Sequence, residues 1–228
     1  MTVADTTRPS PASDRLLHAL PRFESLGRDC EFGFVLNALD YRKGQYFRWI
    51  LGDWESLLTV VQNDFEGSFQ RENLVVAPQN DLMILDQATG ASYHSGPIAD
   101  DAGKPLHWKD GPEAQHRIYE SERGKHHYLI RMFREGMAQS DRCYVLKVNN
   151  CIGDRAQPWV DALRLGRPGE RRRLVVVAEA DEAHPAGEIV KVMPGVYNAR
   201  IRHFGSPNVA HPVMEDWVPV LERMLDLD

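Results

Sequence analysis

The sequence predicts an α/β or α+β fold, and three observations carry the expectation. Short apolar runs bounded by turn residues recur along the chain and read as strands. Between them lie segments with apolar residues at helical spacing. From residue 143 onward the two alternate as strand, helix, strand, the rhythm of a βαβ unit with further strands added. A helix-plus-strand N-terminal region would then pack on a βαβ-type C-terminal region.

Taken in order, residues 1–14 are polar, carry two prolines and are expected to be a disordered tail. Residues 15–228 are expected to form one domain, with 140 as the candidate sub-boundary. The segment 15–20 reads as a short amphipathic helix ended by Pro21, and 23–26 as a strand that turns at Gly27. From Cys30 to Leu39 apolar residues surround the helix instead of forming a stripe, which predicts a buried helix. Gly33 within it costs about 1 kcal/mol relative to alanine, so something is expected to pack closely there. Residues 46–51 read as aromatic and extended, and 55–65 as a surface helix with Leu57, Leu58, Val61 and Phe65 on one face.

Three short strands are expected at 74–77, 82–85 and 91–94, separated by turns at Pro78-Gln79-Asn80 and Thr89-Gly90. A loop rich in Gly, Pro and Asp follows at 96–112. The charged segment 113–139 reads as a long helix in which Gly124 is a candidate interruption. Strands are expected at 143–148, 174–178, 189–193 and 196–201, with a helix at 156–165. A last helix near 216–225 would carry Pro219 in its first turn, where proline is tolerated.

Bulk properties narrow the function. At 228 residues, 43% hydrophobic and 26% charged, the chain can build a sizeable core. A net charge of −6 argues against a dedicated nucleic-acid partner. The cluster Arg171-Arg172-Arg173 precedes an apolar run and reads as a solvated strand entry. Three cysteines without a CxxC pair suit a reducing compartment. With no signal-peptide core and no run of membrane-spanning length, the expectation is a cytoplasmic protein with no membrane partner.

The chemistry concentrates at Cys30. A thiol at a helix N-terminus faces unpaired N–H groups and the positive end of the macrodipole, which favour thiolate by about 0.3–1 kcal/mol. Asp29 and Glu31 flank it and oppose that charge, by roughly 1–4 kcal/mol for a carboxylate about 4 Å away. Activation therefore requires an imidazole partner. The plainer reading of a lone cysteine is a small buried hydrophobe. Cys143 lies in an apolar strand and reads as structural, and Cys151 as loop filler. Among nine histidines, His94 ends a predicted strand between small residues that leave its ring reachable. His107 and His184 are weaker candidates; His126 and His127 read as solvated, and His203 and His211 lack context. No histidine pair or Cys/His set has zinc spacing, no glycine loop suits a phosphate, and no GxSxG elbow occurs, so neither a metal nor a cofactor is expected.

The stretch Ser25-Leu26-Gly27-x-x-Cys30-Glu31, followed by Tyr46-Phe47-Arg48-Trp49-Ile50 and later by Tyr93-His94, resembles a bacterial family described as papain-like cysteine peptidases of unknown function. The resemblance covers roughly residues 23–95, and the remainder follows by element order only. It implies Cys30 as nucleophile and His94 as general base, with Asp29, Arg48 and Trp49 at the oxyanion site and pocket. The implied substrate is a peptide, an amide or a small glycan-linked molecule. Three positions depart from the family pattern: Asp29 replaces an asparagine, Arg48 an aspartate, and Ser95 the aspartate after the histidine. A third triad member is unassigned, with Asp100, Asp101 and Asp110 as loop candidates. The alternative is a catalytically inactive binding or interaction module, in which Asp29 and Arg48 would form an ion pair or hold a polar ligand.

Overall fold

In the computed structural model, residues 12–77, 83–94, 108, 111–148, 153–205 and 209–227 are described. The Pro78-Gln79-Asn80 turn, His107, Cys151 and the candidates Ser95, Asp100, Asp101 and Asp110 lie outside them.

Two sheets organise the chain. The larger has five strands in the order β1 (Phe23–Ser25), β6 (Cys143–Lys147), β7 (Arg173–Glu179), β9 (Val196–Ile201) and β8 (Ile189–Met193). Its first four strands run parallel, and β8 adds to the edge antiparallel. The smaller is antiparallel, with β2 (Ile50–Leu51), β5 (Ala91–His94), β4 (Met83–Asp86) and β3 (Leu74–Val76) in that order. The fold is α/β in its larger sheet and α+β in its smaller one.

Alternation along the central strands sorts the core into two clusters. Cys143, Val145, Val175, Val177 and Tyr197 face α1 (Asp14–Ala19), α2 (Glu31–Ala38) and α6 (Met214–Met224). Tyr144, Leu146, Leu174 and Val176 share the opposite cluster with α3 (Trp54–Gln62), α4 (Pro112–Met137), α5 (Gln157–Leu163) and the smaller sheet. That second cluster draws side chains from both sides of residue 140. Helix α5 bridges β6 and β7, which completes the βαβ unit.

Several local expectations change. Residues 12–14 belong to the folded structure: Ser13 caps α1 by accepting the Leu16 N–H, and its own N–H donates to Glu222 Oε1. The segment 46–51 is extended only at its end, because Tyr46–Trp49 forms a 3₁₀ turn that tucks Tyr46 and Phe47 into the core. Helix α4 runs unbroken through Gly124. Pro219 is the sixth residue of α6, not in its first turn, because the helix starts at Met214. Arg172 and Arg173 are buried: Arg172 donates to the Met137 carbonyl at the end of α4, and Arg173 to the Leu227 carbonyl. Only Arg171 of that cluster is exposed. His126 is packed, not solvated, with its ring stacked 3.9 Å from Phe69 and edge-on to Tyr93 at 4.5 Å.

Candidate functional site

The chain leaves β1 through Leu26 into a tight turn where Gly27 and Arg28 both take positive φ, at 80° and 82°. The turn is pinned at both ends: Leu26 N–H donates to Val145 O, and Arg28 O accepts from Gly52 N–H. Gly27 is required there, because a Cβ would also meet Leu57 Cδ1 at 3.1 Å and Phe47 O at 3.3 Å. The turn delivers Cys30 to the N-cap of α2, and its carbonyl accepts the Phe34 N–H. Cys30 thus follows the carboxyl end of a parallel strand, where open α/β sheets place their sites.

His94 arrives from the other sheet. It ends β5, whose register sets Tyr93 against Ile50 and His94 against Met83. Cys30 Sγ and His94 Nε2 lie 3.3 Å apart across 64 residues of sequence. Cys30 is 4% exposed, whereas His94 reaches solvent. Burial, and then the Asp29 carboxylate, push the thiol up to about 12. Desolvation lowers the imidazole below its ordinary 6.5. Both shifts favour a neutral thiol beside a neutral imidazole at pH 7, not a thiolate–imidazolium pair.

The carboxylates flanking Cys30 are not left to act on it alone. Glu31 is fully buried and accepts from Lys147 Nζ at 2.5 Å, and from Trp217 Nε1 and Gly205 N at 3.0 Å each. The same Lys147, at the end of β6, donates to Asp29 Oδ2 at 2.7 Å and lies 4.1 Å from the centre of the Phe204 ring. Asp29 Oδ1 accepts the Glu31 N–H at 3.0 Å. One of the N–H groups that an oxyanion could use is therefore already engaged, and Asp29 competes for that place instead of building it.

Arg48 is turned away from Asp29. Its guanidinium donates to the carbonyls of Lys43, Gly33 and Tyr41 and to Asn37 Oδ1. It is 1% exposed and clamps the C-terminal part of α2 to the loop that follows. The Asp29–Arg48 ion pair expected for a binding module does not form, because Lys147 takes its place at Asp29. Trp49 is half-buried against Phe34, with ring centres 5.1 Å apart. Phe34 lies one turn beyond Cys30 on α2, so Trp49 lies along the helix face that carries the thiol. Gly33 permits this approach: a Cβ there would meet Arg48 O at 2.8 Å and Trp49 Cζ3 at 2.9 Å.

The remaining candidates are placed elsewhere. His184 is held in its own turn by Asp181 Oδ1 at 2.9 Å, and His127, His203 and His211 are exposed. Cys143 is buried within the larger sheet, where burial raises its thiol to about 11. Among the described residues no cluster of three or more His, Cys, Asp or Glu could hold a metal, and no helix is long and apolar enough to cross a membrane.

Sequence reasoning missed Glu31, Lys147 and Trp217 as one unit. A signal was present, since a lysine ending an apolar strand and a glutamate opening an apolar helix each require a partner once buried. No protein-family model matches the chain, and comparison with curated proteins and with solved structures likewise finds no match.

Proposed function

We propose that the chain is a cytoplasmic thiol-dependent hydrolase or acyltransferase of papain-like type, acting on a peptide, amide or small glycan-linked substrate. The observation that carries the reading is the 3.3 Å approach of Cys30 Sγ to His94 Nε2, made by two separate sheets. Nucleophile and base within hydrogen-bond reach are the minimal requirement for acyl transfer. Because both groups are neutral at rest, His94 acts as general base during attack. Sγ bonds to the carbonyl carbon as its proton passes to Nε2, and the imidazolium then protonates the departing amine or alcohol. Water or another acceptor resolves the thioester by the same route in reverse.

A binding module is the second reading. It is favoured by the raised thiol and by Asp29 on the Glu31 N–H. The two separate on treatment with p-nitrophenyl acetate followed by mass spectrometry. An acetyl adduct on Cys30, formed about 10²-fold or more faster than in His94→Ala, is the expected result. Acetylation no faster than that of a free cysteine, and indifferent to His94→Ala, overturns the enzymatic reading.

A further inference from the structure

A cavity of about 450 Å³ opens between the 41–45 loop and α4, lined by Glu24, Tyr41, Lys43, Leu129, Met132 and Arg142 among others. We propose that this cavity binds a small monocarboxylate with an apolar body, its carboxylate held by Arg142 and its body against Leu129 and Met132.

The polar end is built but incomplete. Arg142 is 8% exposed, and its Nε is buried without a hydrogen-bond partner. One terminal nitrogen donates to Pro21 O, while the other stands 3.5 Å from Glu24 Oε2. The unmet Arg142 donor asks for an acceptor. A carboxylate supplies two oxygens in the geometry a guanidinium favours.

Charge points the same way. Lys43 and Arg142 face a single lining carboxylate, Glu24, so a monoanion brings the lining to neutrality. Burial raises Glu24 to about 7, and where Glu24 takes up a proton the lining holds two cations and no carboxylate, so its attraction for a monoanion strengthens. The apolar end comes from one face of α4, where Leu129, Met132 and Phe133 line the cavity. The walls are fixed beforehand: Arg48 holds the carbonyls of Tyr41 and Lys43, and Gln45 bonds both Ser25 N–H and Phe23 O. A preformed, half-apolar cavity of this volume lies within the range that small ligands occupy.

The probe is 4-phenylbutyrate, with 4-phenylbutanol and 4-phenylbutylamine as controls, read from methionine-methyl NMR with Met132 assigned through Met132→Leu. The Met132 methyl is expected to shift with 4-phenylbutyrate at a Kd of about 1 mM or tighter, and at least tenfold less readily with either control. Lys43→Ala, at an exposed position, should weaken binding roughly two- to fivefold. Arg142→Lys should weaken it at least about tenfold while the other methyl signals keep their dispersion. An unmoved Met132 signal, equal or tighter binding of the amine, or affinity unchanged in both variants overturns the proposal.

Discussion

Lys147 Nζ lies 2.5 Å from Glu31 Oε2, and both side chains are almost wholly removed from solvent. This ion pair joins the end of β6 to the first residue of α2, so it fixes the helix that carries Cys30 against the parallel sheet. Trp217 and Gly205 complete the hydrogen bonding of Glu31 from the C-terminal segment. Breaking such a pair from one side leaves a buried charge without compensation. Lys147→Met is therefore expected to destabilise the protein by about 3–5 kcal/mol. Adding Glu31→Gln to it should recover part of the loss. Urea unfolding with an unchanged m-value reads both. A Lys147→Met protein as stable as the parent would mean that the pair does not anchor α2.

Much of this arrangement was legible beforehand, for physical reasons that differ by residue. Local signals single out Cys30, at a glycine turn into an apolar helix, and His94, at the end of a strand, while their pairing as nucleophile and base is what the family resemblance implies. Arg48 is expected at the pocket or paired with Asp29 and is found at neither, since a charged side chain in an aromatic segment does not show in sequence which way it is aimed. Only the 3₁₀ turn at Tyr46–Trp49 aims it at the carbonyls after α2. The charged sequence neighbours of His126 point to solvent, while its ring faces Phe69 and Tyr93 from other elements. Lys147 and Glu31 are separated by 116 positions, and nothing short of the parallel register brings them together.

His126 gives the fold an acid-sensitive point. Burial first, then the neighbouring His127 and Lys125, push its imidazole down to about 3, whereas in the unfolded chain it titrates near 6.5. The unfolded state therefore binds the extra proton between those values. The stability contribution is fully present above pH 6.5 and is lost as pH falls toward 3. His126→Phe keeps an aromatic ring against Phe69 and removes the titration. Its stability should fall less between pH 6.5 and 4 than that of the parent, as measured by urea midpoints across that range. Parallel pH profiles for the two proteins would show that His126 does not titrate with folding.

Asp29 holds the thiol in check in two ways. After burial, its charge is the second cause that raises the Cys30 thiol, and its Oδ1 takes the Glu31 N–H at the start of α2. Asp29→Asn removes the charge and leaves Lys147 with one carboxylate in place of two. Both changes favour thiolate, so alkylation of Cys30 by iodoacetamide at pH 8 is expected to rise about three- to tenfold. A rate that stays level or falls would show that Asp29 does not control the thiol. The protein should remain folded, because Glu31 keeps Lys147 paired.

The pH dependence of acylation separates the two ways Cys30 and His94 can work together. A preformed thiolate with a pKa near 12 would give a rate that climbs with pH throughout the neutral and alkaline range. General-base attack instead needs only that His94 be unprotonated and in contact with the thiol. The imidazole titrates below 6.5 because partial burial disfavours its charged form. Its basic form therefore predominates at pH 7 and is lost on acidification. The rate of Cys30 acetylation by p-nitrophenyl acetate should accordingly rise from pH 5, bend at a value below 6.5 and stay level to about pH 8. His94→Ala should abolish the bend and leave only the slow alkaline climb of an unassisted buried thiol. A parent profile that climbs without a bend, superimposable on that of His94→Ala, would reduce the 3.3 Å contact to a packing contact between two sheets.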